Sequence, residues 1–271
     1  MGKRESRPWI VSDELWSLIE PLLPEPGPKL VEGRPRVPDR QALCGILFVL
    51  HTGIQWEYLP QELGFGSGMT CWRRLAAWNE AGVWDQLHLV LLKKLRVAKK
   101  LDWSRAVIDS SRPGGPQRPK SGPSPVDRAR PGSKHHVLTD GQGIPLAVSL
   151  TGGNRNDVTQ LLPLLDKVPT VAGVVGRPRR RPDALLADRG YDHDKYRRLV
   201  RARGITPVIA ERGQEHGSGL GVFRWVVERT IAWLHGFRRL RIRWERRDDI
   251  HEAFLGLATC LITHRHVQRL C

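Results

Sequence analysis

Two short apolar runs, each followed directly by an aspartate, constrain the fold of this chain more than any other feature. The first run covers residues 106–108 and ends at Asp109, and the second covers 184–187 and ends at Asp188. Runs this apolar are typical of strands that are buried on both faces. A carboxylate at the end of such a strand is partly desolvated, so packing alone does not explain it. Each aspartate could cap a turn, but two in matching positions favour a shared ligand site beyond the carboxyl ends of the strands.

Segments typical of strands and helices alternate from residue 104 onward. The strands His135–Thr139 and Ile144–Leu150 predict a hairpin across the turn at 140–143, and Asn156 or Asp157 can cap the next helix. The stretches 112–132 and 176–182 are rich in Pro, Gly and Arg and predict loops. The order β-β-β-α-β-α-β-α predicts a mixed α/β sheet on the ribonuclease H-like plan. Its later elements are a helix over Asp192–Arg203, a strand over Thr206–Ala210, and helices over Gly221–His235 and Asp249–Ile262.

The first hundred residues predict helices. Ser12 can cap a helix that ends at Pro24, a Pro- and Gly-rich loop spans 24–38, and Asp39 can cap a second helix through Leu50. Two further short helices, 70–81 and 83–95, are separated by Gly82. With Arg73 and Arg74 they resemble a helix-turn-helix that contacts DNA. An ordinary helix bundle with solvated arginines explains the same pattern equally well.

The charge of the chain points to a polyanionic partner. Its 44 Lys and Arg residues outnumber 28 Asp and Glu residues, which gives a net charge of +16, and 34 of the basic residues are arginines. Arginine forms forked, bidentate contacts with phosphate, although a biased codon usage would also enrich it. Residues 1–100 carry a net charge of +3 and residues 101–271 carry +13. The second part is therefore expected to face the polyanion.

The sequence gives no sign of a membrane segment, a secretory signal or a zinc site. The longest apolar run, 42–50, has nine residues, whereas a membrane span needs about 20. Residues 1–9 lack the apolar core of a signal peptide. The four cysteines show no CxxC spacing. We therefore expect a cytoplasmic protein with reduced thiols.

A third carboxylate lies on the helix predicted over Gly221–His235. At about 100° per residue, Arg224, Glu228 and His235 fall within roughly 40° of one another, beside the apolar face. From this position Glu228 can lean over the sheet edge towards the two aspartates. A simple Arg224–Glu228 helix salt bridge is the alternative, and the helix considered alone favours it.

Three carboxylates on strand, strand and helix form the ligand set that two-metal phosphoryl transfer requires. Mg²⁺ prefers oxygen ligands, and two ions about 3.5–4 Å apart can clamp the attacking and the leaving oxygen. Three close carboxylates would repel one another without divalent cations. We therefore predict that Asp109, Asp188 and Glu228 hold Mg²⁺ or Mn²⁺, as two ions.

A basic segment follows this helix at 236–247. A period of two places Arg239, Arg241 and Arg243 on one face, which predicts a strand or extended arm along a phosphate backbone. A merely solvated basic face is the alternative. The final helix has an apolar face at core spacing and is expected only to pack.

Several stretches of the chain, in the same order, resemble bacterial insertion-sequence DDE transposases, specifically the insertion sequence 5 family. The resemblance covers nearly the whole chain and is strongest in IDSS (108–111), GPSPVDRARPGSKHH (122–136), IPLAVSLTGGNRNDVTQL (144–161), ADRGYDHDKYRRL (187–199) and RWVVERTIAWLHGFRRLRIRWE (224–245). It implies that Asp109, Asp188 and Glu228 are the catalytic Asp, Asp, Glu triad. It also implies a helical N-terminal domain (1–100) that recognises DNA ends and a ribonuclease H-like catalytic core (104–271).

The chain departs from the related families at two places. Their Tyr, Arg, Glu, Lys signature is matched by Arg224 and Glu228, but Gly221 replaces the Tyr and His235 replaces the Lys. The stretch after Ser111 is richer in proline than in the relatives, which would fit a degraded copy.

The resemblance implies a DNA transposase that cuts at the ends of an insertion element and joins the 3′-hydroxyl ends to target DNA. Its partner would be double-stranded DNA, bound as a homodimer, in the bacterial cytoplasm at the nucleoid. The alternatives are an inactive copy that only binds DNA or represses the intact element, and a stand-alone metal-dependent nuclease. Further phosphate contacts are expected from Arg224, Lys134, Arg189 and His235.

Overall fold

A computed structural model describes residues 7–25, 27, 35–125, 128–173, 176–213 and 221–271. Parts of the predicted loops 24–38 and 112–132 lie outside these residues. The strands are β1 Arg105–Ser111, β2 Gly122–Pro123, β3 Pro131–Asp140, β4 Pro145–Gly152, β5 Ala184–Ala187 and β6 Thr206–Ile209. The helices are α1 Asp13–Ile19, α2 Asp39–Thr52, α3 Gly68–Glu80, α4 Val83–Val97, α5 Leu161–Lys167, α6 Asp194–Ala202, α7 Gly221–Gly236, α8 Arg238–Arg241 and α9 Asp248–Leu270.

The strand order confirms the predicted mixed α/β sheet. The main strands lie in the order β4-β3-β1-β5-β6, and the short β2 pairs with the start of β3. The pairs β4–β3 and β3–β1 are antiparallel, whereas β1, β5 and β6 run parallel. An antiparallel meander followed by parallel crossover strands is the ribonuclease H-like plan expected from the sequence.

The parallel pairing of β1 and β5 brings the two aspartates together. Val107 lies opposite Leu186, so Asp109 in β1 and Asp188 directly after β5 each come two residues later along neighbouring strands. β1 does not end at Asp109, as the apolar run suggested, but continues to Ser111. It does so because β3 pairs with it as far as Ser111, beyond the point where β5 ends.

The turn between β3 and β4 supports α7. Gly143 has a φ of +89°, and a Cβ there would lie 2.9 Å from the backbone oxygen of Val226 in α7. The Thr230 hydroxyl donates to the Gly143 carbonyl at 2.6 Å. Glycine allows both this turn conformation and the close approach of the helix.

The N-terminal helices form as the sequence predicts, with small shifts at their ends. Ser12 caps α1 through its hydroxyl, but Asp39 is the first residue of α2 and Pro38 takes the cap position. These helices pack against α9, where the Trp56 ring stacks on Phe254 and the Cys260 thiol donates to the Trp84 carbonyl. Buried apolar residues from α1–α4, the sheet and α9 form one continuous core.

The basic segment after α7 is wrongly predicted as a strand. Residues Arg238–Arg241 form the short helix α8, and the chain becomes extended only from Ile242. Arg239 and Arg243 are buried, whereas Arg241 is exposed. In the described ranges, no helix is both long and apolar enough to cross a bilayer.

Candidate active site

Asp109 and Asp188 form a pair of carboxylates that are held in the same way. The Oδ1 atom of Asp109 accepts from the Ser110 amide at 2.7 Å, and that of Asp188 accepts from the Gly190 amide at 2.8 Å. Both Oδ2 atoms face one nitrogen of Arg224, at 3.1 Å from Asp109 and 3.8 Å from Asp188. The backbone thus fixes one oxygen of each carboxylate, and the other two oxygens converge on one cation.

The environment of this pair favours positive charge. Burial raises the pKa of Asp109, and the nearby Asp188 carboxylate raises it further. The Ser110 amide and the Arg224 guanidinium act in the opposite direction. Because two carboxylates this close repel each other, a cation between them stabilises both in their ionised form.

The third predicted carboxylate lies on the same side of the sheet. Arg224 contacts Asp109 in β1, and His235 Nε2 lies 3.2 Å from the Ser111 hydroxyl in the same strand. Glu228 lies between these two contacts along one face of α7 and is exposed to solvent. It forms no ion pair with Arg224 or with any other described cation, so the predicted Arg224–Glu228 salt bridge is absent from the described part of the chain.

The three carboxylates are not gathered into one cluster. Within the part of the chain that the structure describes, no three His, Cys, Asp or Glu side chains lie close enough to hold a metal ion together. Arg224 occupies the position between Asp109 and Asp188, and Glu228 points to solvent. The two converging oxygens nevertheless suit a hard divalent cation, since they already hold a positive charge between them.

A second polar cluster, which the sequence reasoning missed, lies beside the pair. The Oδ1 atom of Asp157 accepts from the Ser110 hydroxyl and from the Lys134 ammonium group, both at 2.9 Å. The Lys134 ammonium group also donates to the Arg155 carbonyl. Asp157 therefore ties β1 to β3 next to Asp109. Sequence reasoning considered it only as a helix cap, although it lies in the stretch GNRND that takes part in the resemblance.

Tyr191 joins the two clusters. Its ring is buried, and its hydroxyl has no hydrogen-bond partner among the described residues. Burial raises the pKa of Tyr191 well above its usual range, and the carboxylates of Asp157, Asp109 and Asp188 raise it further. The hydroxyl therefore stays protonated and can donate a hydrogen bond at the edge of the site.

The other predicted phosphate-contacting residues differ in their accessibility. Arg189 follows Asp188 directly and is half-buried. Lys134 is buried against Asp157. Burial and the nearby Arg241 lower the pKa of His235, which leaves its ring neutral at pH 7.

The arginines of α3 and of the basic segment 236–247 also divide into exposed and buried residues. Arg73 is exposed, but Arg74 pairs with Asp39 and donates to the Val37 carbonyl. The guanidinium group of Arg239 is paired with Glu245, and Arg243 donates to the Ser133 hydroxyl. Burial within the protein thus corrects the expectation that Arg74, Arg239 and Arg243 face DNA.

Comparisons with known protein families show which family the chain belongs to. Residues 11–88 match the family described as putative transposase of IS4/5 family, and residues 101–219 and 185–264 match two families described as transposase DDE domain. A putative transposase for insertion sequence element IS402 from Burkholderia cepacia is 63% identical over 165 residues, covering 61% of this chain and 77% of that protein. This chain belongs to the insertion-sequence DDE transposases. It is a transposase enzyme of this family.

A second protein of the same organism also resembles the transposase. It is the insertion element IS402 uncharacterized 16.2 kDa protein, 60% identical over 104 residues, which are 38% of this chain and 71% of that protein. Among solved structures, the crystal structure of the Mos1 strand transfer complex is similar over 90% of this chain and 79% of that one, with 12% identity and a TM-score of 0.35. The fold assignment therefore depends on the strand order itself.

Proposed function

We propose that this transposase cleaves phosphodiester bonds at the ends of its insertion element and joins the 3′-hydroxyl ends to target DNA, at the site built on Asp109 and Asp188. The observation that carries the proposal is the convergence of the two Oδ2 atoms on one cation position. Glu228 is the third member of the site, because it lies on α7 between Arg224 and His235, and both of these residues contact β1.

The family uses divalent metal ions, and the oxygen ligands of this site fit them. Asp109, Asp188 and Glu228 would hold Mg²⁺ or Mn²⁺, as two ions. Such ions stabilise the charge that develops on the attacking and leaving oxygens of an in-line displacement.

The residues around the carboxylates bind and orient the phosphate. Arg224 neutralises the acidic pair, and its fork of donors can also hold a phosphate oxygen. The Tyr191 hydroxyl, which has no partner among the described residues, can donate a further hydrogen bond at the edge of the site. Lys134 and Ser110 hold Asp157, which fixes β1 and β3 behind Asp109. His235, neutral at pH 7, orients Ser111 rather than supplying charge.

We further propose that the partners are the terminal inverted repeats and target DNA, bound by a homodimer at the bacterial nucleoid. The net charge of +16 supports a polyanionic partner. In this proposal residues 1–100 recognise the element ends through Arg73, and Arg189 and Arg241 contact the DNA backbone near the site.

The test is cleavage of labelled element-end DNA, with and without Mg²⁺, beside a scrambled duplex. Glu228→Gln should abolish Mg²⁺-dependent cleavage while leaving binding to the element ends intact. Glu80→Gln, which removes an exposed glutamate from α3, is the matched control and should cleave normally.

Each rival gives a different result in this assay. An inactive copy would bind the ends with a steep salt dependence but would not nick them with any metal. A stand-alone nuclease would cut the scrambled duplex equally well. Cleavage by Glu228→Gln at the normal rate would refute the assignment of the third carboxylate.

A further inference from the structure

The side of α7 that faces away from Arg224 and Glu228 carries two indole rings with a guanidinium group between them. The Arg229 guanidinium lies 4.5 Å from the centre of the Trp225 ring and 4.8 Å from that of Trp233. The three residues are four positions apart and therefore share one side of the helix. We call Trp225, Arg229 and Trp233 the Trp–Arg stack.

This stack is open to solvent. Trp225 is 50% exposed, and the neighbouring Phe223 and Val222 are exposed as well. A groove of about 450 Å³ runs along the stack. Exposed aromatic side chains that are contiguous in this way mark a binding surface more often than a solvated face.

The charge around the stack is positive. The arginines that line this surface are Arg105, Arg229, Arg265 and Arg269. None of them forms a salt bridge with a carboxylate among the described residues. Burial lowers the pKa of Arg229, and the nearby charge of Arg269 lowers it further. The carboxylate that acts on Arg229 in the opposite direction, Asp140, is buried and already accepts three backbone amides. Cations held close together without a counter-charge attract a polyanion.

We propose that the Trp–Arg stack and the arginines around it bind single-stranded DNA. Unpaired bases present their faces to indole rings, and the arginines neutralise the phosphates between them. A duplex keeps its base faces covered and can use only the charge. A second copy of this chain is disfavoured, because a symmetric contact would bring the same arginines against each other.

The position of the stack suits a single DNA strand that leaves the active site. At about 100° per residue, the Trp–Arg stack lies roughly 100–140° around α7 from Arg224 and Glu228. A DNA strand that crosses the solvent-exposed side of α7 reaches the stack within one helix diameter, about 10–12 Å. This inference rests on the proposed function, because cleavage at that site is what would release unpaired bases next to the helix.

The experiment measures binding of the full chain to a labelled oligothymidylate of about 15 nucleotides. A hairpin duplex of the same length is the comparison, and EDTA is present so that no cleavage occurs. Trp225→Ala should weaken binding of the single strand about 5- to 100-fold and leave duplex binding nearly unchanged. Trp244→Ala is the matched control, because Trp244 is 51% exposed and no arginine lies over its ring in the described structure.

A second pair of variants separates stacking from charge. Arg229→Gln should weaken single-strand binding more than Arg198→Gln, which removes an equal charge from the exposed side of α6. Equal effects of the two variants would overturn the proposal, as would an unchanged single-strand affinity of Trp225→Ala. A change in self-association of Trp225→Ala, seen by sedimentation without any change in DNA binding, would instead assign this face to a second copy. Because EDTA prevents cleavage, this experiment tests single-strand binding alone. The proposed function is tested separately, by whether Glu228→Gln abolishes cleavage with Mg²⁺.

Discussion

Removing one partner of the buried ion pair between Arg239 and Glu245 should be among the most destabilising single changes in the chain. Arg239 is 3% exposed and Glu245 is 6% exposed. Arg239 Nε donates to Glu245 Oε1 at 2.9 Å, and Arg239 Nη1 donates to the carbonyls of Gly53 and Ile54 at the end of α2. Removing one partner of such a pair leaves an uncompensated buried charge and costs about 3–5 kcal/mol. Glu245→Leu should therefore lower the free energy of unfolding by that amount.

The double variant gives the more demanding test. Arg239→Met with Glu245→Leu removes both charges and leaves only the two α2 carbonyls unpaired, at about 1–3 kcal/mol each. The double variant should thus lose clearly less than the sum of the two single losses, with a coupling free energy of about 2 kcal/mol or more.

Urea unfolding, followed by tryptophan fluorescence, measures these differences from the midpoint when the slope is unchanged. Asp166→Asn is the control, because the Asp166–Arg203 pair is largely exposed and should contribute about 1 kcal/mol or less. A loss below about 1 kcal/mol for Glu245→Leu, or additive losses in the double variant, would refute the reasoning.

Three further predictions concern pH, DNA binding and the turn at α7. Burial raises the pKa of Asp140 to about 6, so the folded protein holds this proton more tightly than the unfolded chain. Relative to Asp140→Asn, the protein should therefore lose about 3 kcal/mol of stability as the pH rises from about 4 to about 6, measured by urea unfolding across that range. Arg73→Gln should reduce the slope of log binding constant against log salt concentration by about one unit, measured by titrating element-end DNA at several salt concentrations. Arg74→Gln should instead lower the midpoint of urea unfolding, because Arg74 is paired within the protein. Gly143→Ala should lower the free energy of unfolding by about 1–3 kcal/mol, because its φ is positive and its Cβ would meet the α7 backbone; an unchanged midpoint would contradict this contact.

The sequence was sufficient to place both aspartates at the ends of buried strands, because the pattern that predicts such a strand end is local. An apolar run of three or four residues indicates a buried strand, and the residue after it lies at the strand's carboxyl end. That the two strands are parallel neighbours depends on the hairpin of β3 and β4 between them, whose two antiparallel pairings leave β5 to pair with β1. The face of α7 that carries Glu228 follows from helical periodicity alone.

The basic segment could not be predicted in the same way. Arg239 is buried because α2 supplies two carbonyls and Glu245 supplies a carboxylate, and none of these partners is visible in the local period. Asp157 was missed for a related reason. The two residues that donate to its carboxylate, Ser110 and Lys134, lie on β1 and β3, so its importance depends on the register of the sheet.

The position of α7 links the candidate active site to the rest of the fold. The Thr230 hydroxyl anchors the middle of the helix on the Gly143 carbonyl, at the turn between β3 and β4. From that anchor, Arg224 reaches Asp109 and His235 reaches Ser111. A helix of this kind cannot shift without moving all three contacts, because its side chains are fixed relative to one another by the helical backbone. The placement of α7 against β1, and with it the position of Glu228, is therefore set in part at a glycine turn outside the site. Helical periodicity then directs Glu228 to one side of α7 and the Trp–Arg stack to another.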